Sequence, residues 1–160
     1  MRKALRGPLL AVGLAIVFGG TALATGSSGL AGVFNSRGTL AEKVHFNTGE
    51  VKVQTKAAVD LVSQTITFAP GSTTGWHSHP GVVLVTVASG TLVRYDGHCS
   101  PTTYTAGTPR SAFIESGDHS GLVRNETTSP AVVHVTYMVP AGTTNAALRI
   151  DKADPGCGPA

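Results

Sequence analysis

The feature that most constrains this chain is its punctuation. Short runs rich in Val, Thr, Ile and Tyr alternate with turn residues: "VKVQT", "VDLVSQTITF", "VVLVTVASG", "TLVRYDG", "TTYTAG", "SAFIES", "GLVRNE" and "AVVHVTYMV". Pro70-Gly71, Pro80-Gly81, Ser89-Gly90, Asp96-Gly97, Ala106-Gly107 and Ser129-Pro130 supply the breaks. β-Branched and aromatic residues suit a pleated, half-buried surface, and Gly, Pro, Asp and Ser end it where a turn is needed. No window of a dozen residues carries a 3.6-residue apolar period, and "NAALRI" near the C-terminus is too short to count. Evenly spaced short strands predict an all-β sandwich or barrel. At 160 residues the chain is one domain, able to bury its core without a cofactor. A metal, if bound, serves function more than folding.

The first 24 residues read as an export signal. Arg2, Lys3 and Arg6 precede the apolar "PLLAVGLAIVFGGTALA", which ends in Ala22-Leu23-Ala24, a small-x-small cleavage pattern. Cleavage is expected after Ala24, leaving a secreted or extracytoplasmic protein. The alternative, an uncleaved membrane anchor, is disfavoured because Pro8, Gly13, Gly19 and Gly20 break a short apolar stretch. With Arg2, Lys3 and Arg6 set aside, nine basic and nine acidic residues remain of the 12 and 9 in the full chain. No basic patch is left to bind nucleic acid, and no stable membrane insertion is expected after cleavage. Residues 25–41 are Gly/Ser-rich and read as a flexible lead-in, residues 42–150 as the barrel, and 151–160 as a tail. Cys99 and Cys157 are the two cysteines, and in an exported chain the default is a disulfide tying that tail to the domain. Free thiols, or a metal role for Cys99 beside His98, are the alternatives.

One stretch carries chemistry. In "GSTTGWHSHPGVVLVTVASG" (71–90), His77 and His79 lie two apart, and residues i and i+2 of a strand share a face. Two neutral imidazoles on one face are half of a transition-metal site. A single such His is more often a satisfied structural group; the pair, set between turn signals, favours a shared role.

These residues resemble a family. Gly71, His77, His79 and Gly90 fall in register on the first cupin motif, G(x)5HxH(x)3-4E(x)6G, and Arg124-Asn125 match the end of the second, G(x)5PxG(x)2H(x)3N. The resemblance spans roughly residues 58–140. It is nearest to small exported cupins with a Cys between the motifs and another near the C-terminus, and it implies a single cupin-type small β-barrel, or jelly roll. Two departures stand out. Val83 or Leu84 occupies the place of the family's carboxylate ligand, and Gly121 the place of its third His. His119, two residues earlier and on the same face if the strand continues, is the displaced candidate.

The expected metal ligands are therefore His77, His79 and His119, holding one divalent transition metal (Zn, Fe, Ni or Mn) or, if the site is degenerate, no metal. Trp76, Val83 and Val85 are the expected ligand-lining residues. His134 reads as structural or outward, Glu115 and Asp118 as solvated members of a turn-like "ESGDHSG", and His98 and His45 as peripheral. Asn125-Glu126-Thr127 matches a glycosylation sequon, though the Asn fits the cupin motif better. No nucleophile elbow, phosphate loop or HExxH is present. Two functions compete: a non-catalytic module binding a small molecule in its barrel, and a metal-dependent, dioxygenase-like oxidoreductase. Whether the chain is an enzyme is open. A homodimer formed through a strand near Val51–Thr55 is compatible with the resemblance.

Overall fold

The computed structural model describes residues 25–157. The signal-peptide expectation for residues 1–24 lies outside them. Twelve strands follow one another: β1 (Ser28–Leu40), β2 (His45–Asn47), β3 (Lys52–Gln54), β4 (Val59–Thr73), β5 (His77–Ser78), β6 (Val82–Ser89), β7 (Thr91–Asp96), β8 (Pro101–Thr105), β9 (Ala112–Glu115), β10 (Gly121–Arg124), β11 (Ala131–Pro140) and β12 (Ile150–Asp151). The only helix among the described residues is one 3-10 turn, Asn145–Leu148. The all-β architecture predicted from the strand and turn spacing is what the chain adopts.

Ten strands form one sheet, with β12, β5, β10, β4, β11, β6 and β9 adjacent in that order, β1 added to β4, and β7 bridging β10 and β8. The sheet curls so that alternate residues meet inside. β6 and β11 show the alternation plainly: Val83, Val85, Val87, Val133, Val135, Tyr137 and Val139 are buried while Leu84, Thr86 and His134 face out. Strictly period-2 burial is what a sheet with one packed and one solvated face requires. Phe68, Leu92, Phe113 and Val123 complete the core, and Tyr104 lies 4.6 Å from Phe113, ring centre to ring centre.

Residues 28–40, expected as a flexible lead-in, instead form the 13-residue strand β1, paired with β4 from Ser28–Thr73 to Leu40–Val59. Gly and Ser hide the pattern, because backbone hydrogen bonds to a long partner need no particular side chain. Two side chains of β1 then lock it. Arg37 Nη1 lies 2.6 Å from Asp60 Oδ2 and Thr39 Oγ1 donates to Oδ1 at 2.7 Å. The Thr39 hydroxyl, the Gly142 N–H and Arg37 hold the Asp60 carboxyl below the usual carboxylate range.

β2 and β3 form a separate two-stranded hairpin. Lys52–Gln54, within the segment expected as a dimerising edge, is therefore already paired, with His45–Asn47. Cys99 and Cys157 are joined in a disulfide, with Cα atoms 5.4 Å apart and a sequence separation of 58.

Candidate metal centre

β5 is only two residues long, but it is the strand that presents His77. Gly75, at φ +64°, makes the preceding turn, and a Cβ there would strike the carbonyls of Thr25 and Gly26. The turn leaves the Gly75 carbonyl facing back, where it accepts a hydrogen bond from His77 Nδ1 at 2.9 Å. His79 Nδ1 donates in the same way to the Leu148 carbonyl at the end of the 3-10 turn, at 2.7 Å. Each imidazole is thus fixed through Nδ1, and each Nε2 turns inward. The rings meet edge to face, 4.8 Å between centroids.

The third group comes from β9. Glu115 pairs with Val83 across the β6–β9 ladder, and its Oε2 lies 3.1 Å from His79 Nε2 and 3.8 Å from His77 Nε2. One ligand atom from each of His77, His79 and Glu115 falls within a 4.8 Å cluster, and all three residues are buried. Arg94 of β7 donates from Nε to the other carboxylate oxygen, Oε1, at 3.3 Å. Burial pushes the Glu115 carboxyl up, but the His79 hydrogen bond, the attraction of the two imidazoles in their protonated forms and the Arg94 charge outweigh it, and the net direction is down. Burial holds His77 neutral, down to about 4, against the pull of Glu115. Tyr137, 5.7 Å from His79 between ring centres, is pushed up to about 12 by burial and by the Glu115 charge.

These contacts decide what the cluster can do. With Nδ1–H committed to a carbonyl, a neutral imidazole offers a lone pair at Nε2. Two such lone pairs and a carboxylate oxygen converge on one point. A proton on His79 Nε2 satisfies one of the contacts; a cation satisfies all three groups at once. Ligand atoms set about 2.0–2.2 Å from a metal lie roughly 3 Å from one another, as the His79–Glu115 separation does. The Nδ1 bonds to backbone carbonyls are the supports that metal-bound histidines characteristically have. The residues present fit a divalent transition metal.

The structure corrects three sequence expectations. His119 is not in the cluster: its side chain is 74% exposed and its Nδ1 lies 2.7 Å from Asp118 Oδ1 and 2.8 Å from Ser116 Oγ. The strand assumed to carry it with Gly121, β10, begins only at Gly121, and residues 116–120 form the turn after β9, so the same-face argument lapses. Glu115, expected in solvent, is the last residue of the strand and points in. "SAFIES" held the signal: Phe113 and Glu115 share a face two apart, and Phe113 is core. Trp76, expected at the ligand site, is buried but is not among the cavity's lining residues. Trp76 lies in the bend before β5, outside the strand that presents His77.

Val83 and Val85 do line the cavity, with Phe68, Leu92 and Phe113. Gly121 begins β10 directly opposite His77; a Cβ there would sit 3.3 Å from Glu115 Oε1 and 3.4 Å from Arg94 Nη2. The space a third His would enter is thus occupied by an ion pair. His134 faces out, within 3.2 Å of Thr65 Oγ1, and His98 and His45 are exposed. Asn125 is fully buried; its amide nitrogen donates to the Phe68 and Ser129 carbonyls and its oxygen accepts from Thr127, so the sequon Asn serves the loop.

No family model and no curated protein matches the sequence. Among solved structures, the chain is similar to cupin and double-stranded β-helix proteins. An uncharacterized conserved protein with a double-stranded β-helix domain from Klebsiella pneumoniae matches at 18% identity and TM-score 0.47, over 70% of this chain and 85% of that one. A cupin 2 conserved barrel domain protein from Leptotrichia buccalis matches at 16% identity and TM-score 0.43, over 64% and 41%. An oxalate oxidase in complex with the substrate analogue glycolate matches at 20% and 0.41, over 48% of this chain. This chain spans 40% of that enzyme's length. Similarity at this level carries no argument about activity.

Proposed function

We propose that the protein is an exported, cupin-like barrel that holds one divalent transition metal at His77, His79 and Glu115 and binds a small molecule beside it. The observation that carries this reading is the convergence of two Nε2 atoms and one carboxylate oxygen, each imidazole tethered through Nδ1. Two nitrogens and an oxygen suit Zn, Fe(II), Ni or Mn. Once bound, the cation supplies Lewis-acid polarisation of an oxygen or nitrogen on the small molecule.

The chain's own residues do the rest. Arg94 occupies Oε1 of Glu115, leaving Oε2 toward the histidines. The apolar walls from Phe68, Val83, Val85 and Phe113 keep bulk water from the barrel side. The room inside is small, a cavity of about 50 Å³, so only a few atoms of a ligand enter there. A wider space of about 220 Å³ at the barrel mouth shares His77, His79 and Tyr137 with the interior, and there the body of the ligand sits. Export is supported by the Cys99–Cys157 disulfide; among the described residues no helix is long and apolar enough to cross a membrane.

One observation favours a second reading, a metal-dependent oxidoreductase. Three protein ligands arranged as two histidines and one carboxylate leave coordination positions for both a substrate and a small co-reactant, the pattern of non-haem iron sites. The two readings part on turnover: oxygen consumption by Fe(II)-loaded protein with a bound organic ligand supports the enzyme, and its absence supports the binding module. The test common to both is titration of the protein with Co(II), followed by its visible absorption. Saturation at one equivalent, lost in His79→Ala, is the expected result; no spectral change in the wild type would overturn the reading.

A further inference from the structure

The mouth of the barrel carries a bias in its hydrogen bonding that the metal site does not use. Its polar wall includes Gln64 on β4, Asn145 at the start of the 3-10 turn and Arg149 just before β12. Each has its accepting or outward side occupied within the fold. Tyr137 donates to Gln64 Oε1 at 2.8 Å, and Arg37 Nη2, which can only donate, lies 2.8 Å from Asn145 Oδ1. Those bonds fix both amides, and the Nδ2 of Asn145 and the Nε2 of Gln64 have no partner among the described residues. Gln64 Nε2 lies over Gly32, 2.6 Å from where a Cβ would stand, so a side chain at 32 would cover it. Arg149 binds Asp151 through Nε at 2.6 Å and reaches the Thr25 carbonyl through Nη2 at 3.4 Å, leaving Nη1 uncommitted.

The wall therefore offers donors and one guanidinium. A ligand that fits it brings acceptors, and a carboxylate can share the Arg149 guanidinium with Asp151 through the uncommitted Nη1. Beside the metal-site side chains, the mouth sets Leu30 and Phe34 of β1, Ile66 and Leu148 against the two small hydroxyl residues Ser27 and Thr74. We infer that the ligand is a small carboxylate with an apolar body, its carboxylate held by Gln64, Asn145 and Arg149 at the mouth beside the metal. Charge-assisted hydrogen bonds to a planar guanidinium and two amide N–H groups are the strong, geometrically selective kind. Leu30, Phe34 and Leu148 cover the body of the ligand, and Gly32 keeps the Gln64 amide open to it. The inference rests on the metal-centred reading above for its second anchor, and its test separates the two.

Two substitutions probe the donors without removing the contacts that hold them. Asn145→Asp keeps an oxygen for Arg37 and Gln64→Glu keeps one for Tyr137, while each converts the free donor into a charged acceptor. Arg149→Gln removes the guanidinium. The experiment is calorimetric titration of the Zn-loaded full chain with acetate, butyrate and phenylacetate, each beside its neutral amide, with bound zinc counted in every variant. The expected result is that at least one acid binds about tenfold or more tighter than its amide. That preference should disappear in N145D, Q64E and R149Q while zinc stays at one equivalent. Acids bound no better than their amides, or a preference that survives all three substitutions, would overturn the carboxylate inference and leave the metal site standing. Loss of zinc from the wild type itself would instead overturn the metal reading.

Discussion

Glu115 stands directly opposite Val83 in the β6–β9 ladder, and both side chains point into the barrel. Directly paired residues on one face of an antiparallel ladder have Cβ atoms about 4.5–5.5 Å apart. A carboxylate can therefore reach the same point in the interior from either strand. The oxygen missing at Val83 is delivered from across the ladder.

This geometry makes the carboxylate movable. Glu115→Val should abolish metal binding, and Val83→Glu/Glu115→Val should restore a measurable part of it. Metal per chain, counted after dialysis, is the readout. A double variant no better than the single would mean that the position of Glu115, and not the presence of a carboxylate, is what the site needs.

Arg94 is a positioning residue for Glu115. Its Nε–Oε1 contact is partly buried, and loss of such outer support typically costs 10–100-fold in metal affinity. Arg94→Gln should weaken metal binding by about tenfold. Competition with a chelator of known affinity checks this; unchanged or tighter binding would show that Arg94 merely neutralises the carboxylate.

The metal-free protein should lose stability as the pH falls through the range set by His77. Its folded-state value lies near 4, below the ordinary 6.5, so between those limits the unfolded chain binds more protons than the folded one. The contribution is complete above about pH 6.5 and is lost toward pH 4; Glu115, also lowered, acts in the same direction. A shift of this size amounts to roughly 3 kcal/mol at most. Urea midpoints of the wild type and His77→Gln across pH 4–7 test it: the wild type should fall more steeply. Parallel curves would rule out His77 as the source.

The disulfide closes a loop of 58 residues and secures the chain just after β12, whose Asp151 pairs with His77. In the chain-entropy account such a loop contributes about 4 kcal/mol. Cys99→Ser/Cys157→Ser should lower the midpoint of unfolding accordingly and weaken metal binding, because β12 flanks the strand that presents His77. An unchanged metal affinity would show that β5 keeps its geometry without the tail.

The legible and illegible parts of this chain divide along physical lines. Strand periodicity and turn chemistry are local, so the all-β barrel could be read from "VVLVTVASG" and "AVVHVTYMV" and from the Gly and Pro between them. The His77–His79 pair was legible for the same reason, since i and i+2 share a face. What escaped depends on pairing between distant segments. β1 is a strand because β4 lies beside it; its own Gly and Ser give no period. Glu115 is a site residue because β9 pairs with β6, a relationship that no local window contains. His119 failed for the converse reason: its same-face placement required the strand of Gly121 to reach back to it, and that strand starts at Gly121, after a turn. Gly121 is informative only once Arg94 and Glu115 are seen to fill the space above it.

The most direct test of the account is elemental analysis of the purified protein, beside His79→Ala and Glu115→Gln, each confirmed folded by its far-ultraviolet spectrum. About one equivalent of a first-row transition metal in the wild type, falling to a small fraction in both variants, is the predicted result. A wild type that carries no metal and takes up none on loading, or variants that retain it fully, would contradict the assignment of His77, His79 and Glu115 as a metal centre.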